Sequence, residues 1–271
     1  MSQHLNLVFK SPVDERDWNY DNLPLTTTPT FPKVWDLRPY LPPVREQGIR
    51  GTCAAFTSCC MKEYHEKLDH KEFTGYMSPE SVYFYRQNKP QEGMFCRDVM
   101  KILHKHGVAR EQFQPYSRVE PKSLSPKAIE DAKRFKVQGY AQVHTIHGAK
   151  AALMSDGPLL IAFPYYKNGK AEFWQKKGKM AGGHAVAIVG WVEEGFIVRN
   201  SWGKGWNNGG YVIYPWKDWG AHWELWSAVD QKTDWAPPET KKHLGWIRRM
   251  NLIRRRNTRR QRQFRRRRFR R

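Results

Sequence analysis

Cys53, His184 and Asn200 are three residues whose types and surroundings can do nucleophilic chemistry. Val44 to Cys60 reads VREQGIRGTCAAFTSCC, with Cys53, Cys59 and Cys60 close together after a Gln-Gly turn. A thiolate is the reactive form of cysteine, and the start of a helix favours it through unpaired backbone N–H groups and the positive end of the helix dipole. Cys53 occupies such a start, while Cys59 and Cys60 lie more than a turn deeper. The thiolate needs a base or ion partner, and His184, in Gly182-Gly183-His184 at the head of an apolar run, is the best candidate. Asn200 ends the next β-prone run and is placed to fix the imidazole tautomer. Each residue also has a plainer reading: a buried helix-start cysteine, a core histidine, a turn asparagine. Cys59, Cys60 and Cys96 read as core residues. His104, His106, His144 and His147 lack the Cys/His framework of a zinc site, so no metal or other cofactor is expected.

Regular elements must carry these groups. Cys53 to Leu68 contains neither Gly nor Pro, and Phe56, Cys60, Tyr64 and Leu68 recur every four positions, predicting an amphipathic helix packed on one face, with Thr52 as N-cap. Further helices are expected over 79–86, 96–106 (ending at Gly107) and 125–135. After Val137 the pattern changes to short β-prone runs at 159–163, 184–191, 196–200 and 211–214. A helical half thus precedes a strand-rich half. This predicts an α+β protein of two lobes with the site in the cleft between them.

Several segments together resemble the papain-like cysteine peptidases, over roughly residues 31–226. They are Pro43-Val-Arg-Glu-Gln-Gly before Cys53, Gly183-His184-Ala-Val with Val189-Gly190-Trp191, and Arg199-Asn200-Ser-Trp-Gly-Lys-Gly-Trp206 with Asn208-Gly-Gly-Tyr211. The spacing from Cys53 to His184 also fits that family. The resemblance implies a papain-like two-lobe fold, with a helical left lobe (about 44–120) and a β-barrel-like right lobe (about 121–235) within a peptidase domain at 31–235. It implies Cys53 as nucleophile, His184 as its ion-pair partner and later acid, and Asn200 as the orienting group. It further implies Gln47 in the oxyanion hole with the Cys53 amide, and Trp202 shielding the Asn–His bond. Glu92 and Gly93 fall where the family has a substrate-holding Gly-Gly pair, and Met94 and Ala185 would line a specificity pocket.

The sequence also departs from the family pattern. Around the nucleophile the family signature is C-G-[SA]-C-[WY], but here it reads Arg50-Gly51-Thr52-Cys53-Ala54, and the upstream DLRPYLPPVREQG (residues 36–48) resembles a compact bacterial and viral branch of the family. Glu92 puts a carboxylate at the cleft rim, from which a preference for basic residues near the cleaved bond is expected.

The formal net charge is +21, but residues 248–271 hold fourteen arginines and no acid, so residues 1–247 carry only +7. A tail of this composition, within a linker-and-tail region at 236–271, cannot build a core. Arg254, Arg255, Arg256, Arg265, Arg266, Arg267 and Arg268 form its densest runs and suit phosphate pairing, so nucleic acid is the expected partner. A targeting signal and an anionic membrane surface are the alternatives. Residues 1–30, with the cluster Pro24 to Thr30, read as an extended arm rather than a packed element, able to lie in the cleft as a source of latency. The sequence shows no export signal, no long helical propeptide and no run of about 20 apolar residues. An intracellular enzyme, packaged in a virion or active at a viral assembly site, fits these parts. A nucleic-acid-binding structural protein on a silent peptidase fold is the competing reading.

Overall fold

The computed structural model describes residues 7–22, 30–71 and 73–231. The arginine tail, including Arg254–Arg256 and Arg265–Arg268, lies outside these residues, as does most of the Pro24–Thr30 cluster.

The first helix, α1 (Cys53–Asp69), forms where neither Gly nor Pro interrupts the chain. It is not amphipathic in the expected sense, because Lys62, Glu63, His65 and Glu66 are buried along with its apolar residues. Burying such charges demands partners. Lys62 pairs with Glu66 at 3.0 Å and with Asp230, while Glu63 accepts the Met77 amide at 3.0 Å. His65 Nε2 meets the Asp156 carbonyl at 2.6 Å. The helix is therefore embedded between the lobes, and its polar side draws partners from both: Met77 of the helical lobe, and Asp156 and Asp230 of the strand lobe. Thr52 precedes it but makes no side-chain cap; its hydroxyl meets Tyr116 Oη at 2.8 Å instead.

The helical lobe adds α2 (Pro79–Tyr83), α3 (Cys96–Lys105) and α4 (Pro126–Ala132), each shorter than expected. Ser78 and Ser125 cap α2 and α4 by accepting amides three residues on, the usual N-cap arrangement. Gly107 ends α3 with φ of +77°, a conformation natural to glycine.

Two short strands, β1 (Val8–Phe9) and β2 (Trp35–Asp36), come from the N-terminal segment, and β3 (Met94–Phe95) precedes α3. The strand lobe then comprises β4 (Val137–Gln142), β5 (Leu159–Tyr166), β6 (Met180–Trp191), β7 (Gly195–Arg199), β8 (Tyr211–Pro215) and β9 (Glu224–Asp230). They form an antiparallel sheet in the order β4-β9-β5-β6-β7-β8, and β2 pairs with β6. A fifth helix, α5 (Ile146–Ser155), crosses this lobe, so the second half of the chain is not purely strands. The row Glu224–Ala162–Ala185 runs across β9, β5 and β6 on one face. That face meets the inner side of the helical lobe in one buried cluster containing Cys53, Met94, Ala185 and Trp226.

The N-terminal segment is not a loose arm where it is described. β1 pairs in parallel with β3, Val8 opposite Met94 and Phe9 opposite Phe95, and Leu7 bridges Gly183 at the edge of β6. Further on, Arg97 binds Asp17, and Asp21 receives the His144 amide at 2.7 Å. The arm is held by short backbone pairing and by its own carboxylates, which no helical or two-residue periodicity in the sequence announces.

Candidate active site

The sulfur of Cys53 sits at the first turn of α1, wholly buried, and receives backbone hydrogen bonds from Ala185, Ala54 and Leu7. Burial raises its pKa from the ordinary 9.0 to about 11, against the pull of those hydrogen bonds. The contact with Ala185 brings α1 against β6, one residue beyond His184.

His184 is also fully buried, and its Nε2 donates to Asn200 Oδ1 at 2.7 Å. That bond places a proton on Nε2 and turns Nδ1 to the other side of the ring. The antiparallel register of β6 and β7 is what carries Asn200 to the imidazole: Ala187 pairs with Arg199, the last residue of β7. Asn200 Oδ1 accepts the Ser201 amide as well, at 2.8 Å. The Trp202 indole stacks on the imidazole at 4.5 Å and 19°, and the Phe173 ring meets it edge-on at 5.1 Å. Together they exclude water from the Asn200–His184 pair. Phe173 lies in the loop between β5 and β6 and has no neighbouring motif that marks it in the sequence.

Gln47 reaches the same region from the loop before α1. Its Oε1 accepts the Ser201 hydroxyl at 2.6 Å, its amide donates to the Ser201 carbonyl at 2.8 Å, and its Nε2 donates to the Arg50 carbonyl at 3.0 Å. Arg50 stands where the family signature has a disulfide cysteine. Its guanidinium forms a two-point pair with Glu80, at 2.6 and 3.0 Å, and donates to the Ser117 carbonyl at 2.7 Å, so a buried ion pair ties this loop to α2. All four cysteines are buried thiols.

Glu92 is half-buried and turns one carboxylate oxygen inward. Its Oε2 accepts the Gly51 amide at 2.9 Å and the Tyr83 hydroxyl at 2.5 Å, and the same hydroxyl accepts the Gly93 amide at 3.0 Å. That oxygen braces the loop before Cys53. Gly93 has φ of +90°, and a Cβ there would stand 2.2 Å from the Leu7 carbonyl oxygen. Glycine is thus required both by the backbone and by the chain lying over it. Met94 and Ala185 lie in one buried apolar cluster with Val8, which is only 1 % exposed. A Cβ on Gly183 would come within 2.4 Å of the Val8 carbonyl oxygen. Leu7–Phe9 therefore occupies the groove between β3 and β6, directly over Cys53.

The histidines that invite a metal reading are engaged separately. His104 Nδ1 contacts the Val137 carbonyl at 3.0 Å, His106 stacks on Tyr85 at 3.9 Å, and His147 packs edge-on against Phe31. No helix among the described residues is long and apolar enough to cross a membrane.

Residues 31–218 match the family model described as papain family cysteine protease. An uncharacterized peptidase C1-like protein of Acanthamoeba polyphaga mimivirus is 28% identical over 200 residues, covering 64% of this chain and 64% of that protein. A cysteine protease of Blomia tropicalis is 25% identical over 202 residues, covering 65% of this chain and 58% of its own length. The matches thus span a little under two thirds of these relatives. The crystal structure of xylellain, a cysteine protease from Xylella fastidiosa, shares the fold with a TM-score of 0.73 at 23% identity, over 85% of this chain and 98% of that one. With its two-lobe α+β architecture and a family match over most of its length, the chain belongs to the papain family of cysteine proteases.

Proposed function

We propose that the chain is a cysteine endopeptidase held latent by its own N-terminal segment. The observation that carries this reading is the His184–Asn200 pair, shielded by Trp202, beside a cysteine at a helix start. In the open state the Cys53 thiolate attacks a peptide carbonyl carbon, forming an S–C bond. The oxyanion is met by the Cys53 amide and by Gln47 Nε2, released from the Arg50 carbonyl, a type of contact that often supplies the largest share of rate enhancement. The His184 imidazolium gives its proton to the departing amine as the C–N bond breaks. Water then attacks the acyl-enzyme, the acid leaves, and the thiolate–imidazolium pair is restored. Asn200 keeps the imidazole in the productive tautomer throughout.

In the arm-filled state the reacting groups are shut off. The backbone hydrogen bond from Leu7 to the sulfur brings a donor, not a carbonyl carbon, and the Leu7 carbonyl is taken by the Met94 amide at 3.2 Å. The arm thus fills the groove without being positioned for attack. Met94 and Ala185, which hold Val8, are the side chains that would receive an apolar substrate residue once the arm leaves.

The chain further fits a viral branch of the family, as its mimivirus relative suggests, and we read the arginine tail as a tether to nucleic acid, placing the enzyme in a virion or at an assembly site. The competing reading, a silent scaffold that binds nucleic acid, is favoured only by the tail's composition and by the altered signature around Cys53.

A biotinylated epoxysuccinyl probe, with Cys53→Ala as control and mass spectrometry to map the modified residue, tests the reading. Labelling at Cys53 alone, lost in His184→Ala and faster once the arm is displaced, is the expected result. A folded protein that stays unlabelled with the arm displaced is the silent scaffold.

A further inference from the structure

Behind the His184–Asn200 pair, between α1 and the start of the loop after β7, lies a cavity of about 20 Å³. Its wall includes Thr57, Glu63, Arg199, Asn200 and Ser201. A space of roughly 10–15 Å³ with two to four polar partners suffices for one water. Asn200 is 3 % exposed, and its Oδ1 serves both His184 and Ser201, whereas its buried Nδ2 has no hydrogen-bond partner among the described residues. A buried amide donor left without an acceptor is costly, and here the cost has a chemical meaning. If the amide flips, Nδ2 faces the imidazole and the proton can no longer sit on His184 Nε2.

The wall offers few acceptors to prevent that flip. Arg199 only donates, to the Tyr211 hydroxyl at 2.9 Å and the Pro43 carbonyl at 3.0 Å. The Thr57 and Ser201 hydroxyls donate to the Cys53 carbonyl and to Gln47 Oε1, which leaves only their lone pairs. Glu63 is the one carboxyl group on the wall, 2 % exposed and anchored through Oε1 to the Met77 amide. Resting on the peptidase reading above, we propose that Glu63 is a positioning residue: through one water bound in this cavity it gives Asn200 Nδ2 its acceptor, and so keeps Oδ1 turned to His184.

Burial pushes the Glu63 carboxyl up to about 7 while Arg199 and Arg45 pull it down. Near neutral pH it therefore offers an acceptor oxygen whether or not it carries a proton.

The test uses the full chain, labelled with ¹⁵N-histidine, in wild type, Glu63→Met and Glu63→Gln. The His184 imidazole is assigned by its loss in His184→Gln. Wild type and Glu63→Gln should show a single imidazole state protonated at Nε2, and Glu63→Met a mixture of tautomers. In arm-displaced chains, Glu63→Met should lower kcat roughly ten- to a hundredfold with KM little changed, as for one lost buried hydrogen bond, and Glu63→Gln should restore it. A folded Glu63→Met protein with the wild-type imidazole spectrum overturns the proposal. Should that variant fail to fold, a high-resolution crystal structure of the wild type decides, because density for a water bonded to Asn200 Nδ2 and Glu63 is required and its absence overturns the assignment. A wild type without Cys53-dependent turnover would remove the peptidase reading, while the imidazole spectrum would still report on Glu63.

Discussion

Arg97, at the start of α3, grips Asp17 of the N-terminal arm with Nε 2.9 Å from both carboxylate oxygens and a second nitrogen 2.5 Å from one of them. The same guanidinium donates to the Pro12 carbonyl, and the Arg97 amide to the Ser11 hydroxyl at 3.1 Å. Ser11 in turn donates its amide to the buried Glu224 at 2.9 Å. Both charged side chains of the pair are nearly buried, at 8 % and 11 % exposed, so the contact is not a freely solvated surface bridge. Asp17→Asn should loosen the arm by about 1.5–3 kcal/mol, the worth of hydrogen bonds to a charged group, and raise the alkylation rate of Cys53 by iodoacetamide roughly tenfold or more. An unchanged rate would mean that the arm is held elsewhere.

The Cys53 thiol carries its own pH signature. With the arm seated, burial holds its pKa near 11, above the ordinary 9.0. Alkylation of the full chain should therefore climb with pH toward 11, and in Val8→Asp, which drives a charge into the apolar cluster and expels the arm, the curve should move to lower pH. The stability effect follows the same sign. The folded state keeps this proton longer than the unfolded chain, so its contribution is complete below about pH 9 and is lost as pH rises through about 11. The melting temperature of Cys53→Ala should accordingly fall less than that of wild type between those values.

Glu92 should matter for stability and not for charge selection. One of its carboxylate oxygens holds the Gly51 amide and the Tyr83 hydroxyl. Glu92→Gly is expected to cost about 2 kcal/mol in denaturant unfolding, and to leave the preference of an arm-displaced enzyme for or against basic residues in a peptide library unchanged. A changed charge preference would restore the rim-charge expectation.

The tail prediction concerns salt. If the arginines of residues 248–271 pair with phosphates, the full chain should bind single-stranded DNA with an affinity that drops by roughly a few hundredfold or more between roughly 50 and 200 mM salt, for ~6–10 phosphate contacts. A chain ending at residue 235 should lose both the binding and the salt slope. Fluorescence anisotropy at several salt concentrations measures this.

The candidate site residues stand out in the sequence because each sits inside a motif with its own turn chemistry: the Gln-Gly turn before Cys53, glycines before His184, and the Ser-Trp-Gly run after Asn200. The roles given to those residues are proposals; what the fold brings together is His184 with Asn200 and the Cys53 sulfur with the backbone of Ala185. Less legible was everything held by tertiary pairing. The apolar period in α1 was visible, yet the burial of Lys62, Glu63 and Glu66 depends on Asp230 and Met77, which are distant in sequence. Helix α5 was not expected at all; at its Gly148 a Cβ would stand 2.1 Å from Asp21 Oδ1, so the arm's carboxylate occupies the space a side chain would fill. Leu7-Val8-Phe9 is too short for any periodicity, and its apolar character gains meaning only from the groove it enters.

Because Leu7–Phe9 is part of the same chain as the groove, its occupancy is a unimolecular equilibrium, indifferent to how far the protein is diluted. A separate peptide must compete with a ligand whose local concentration, set by a short tether, is on the order of millimolar. Such an enzyme would ignore scattered substrate and respond where cleavable chains are crowded together, as subunits are inside an assembling particle. Its selectivity then depends on the density of its surroundings as much as on the shape of its cleft.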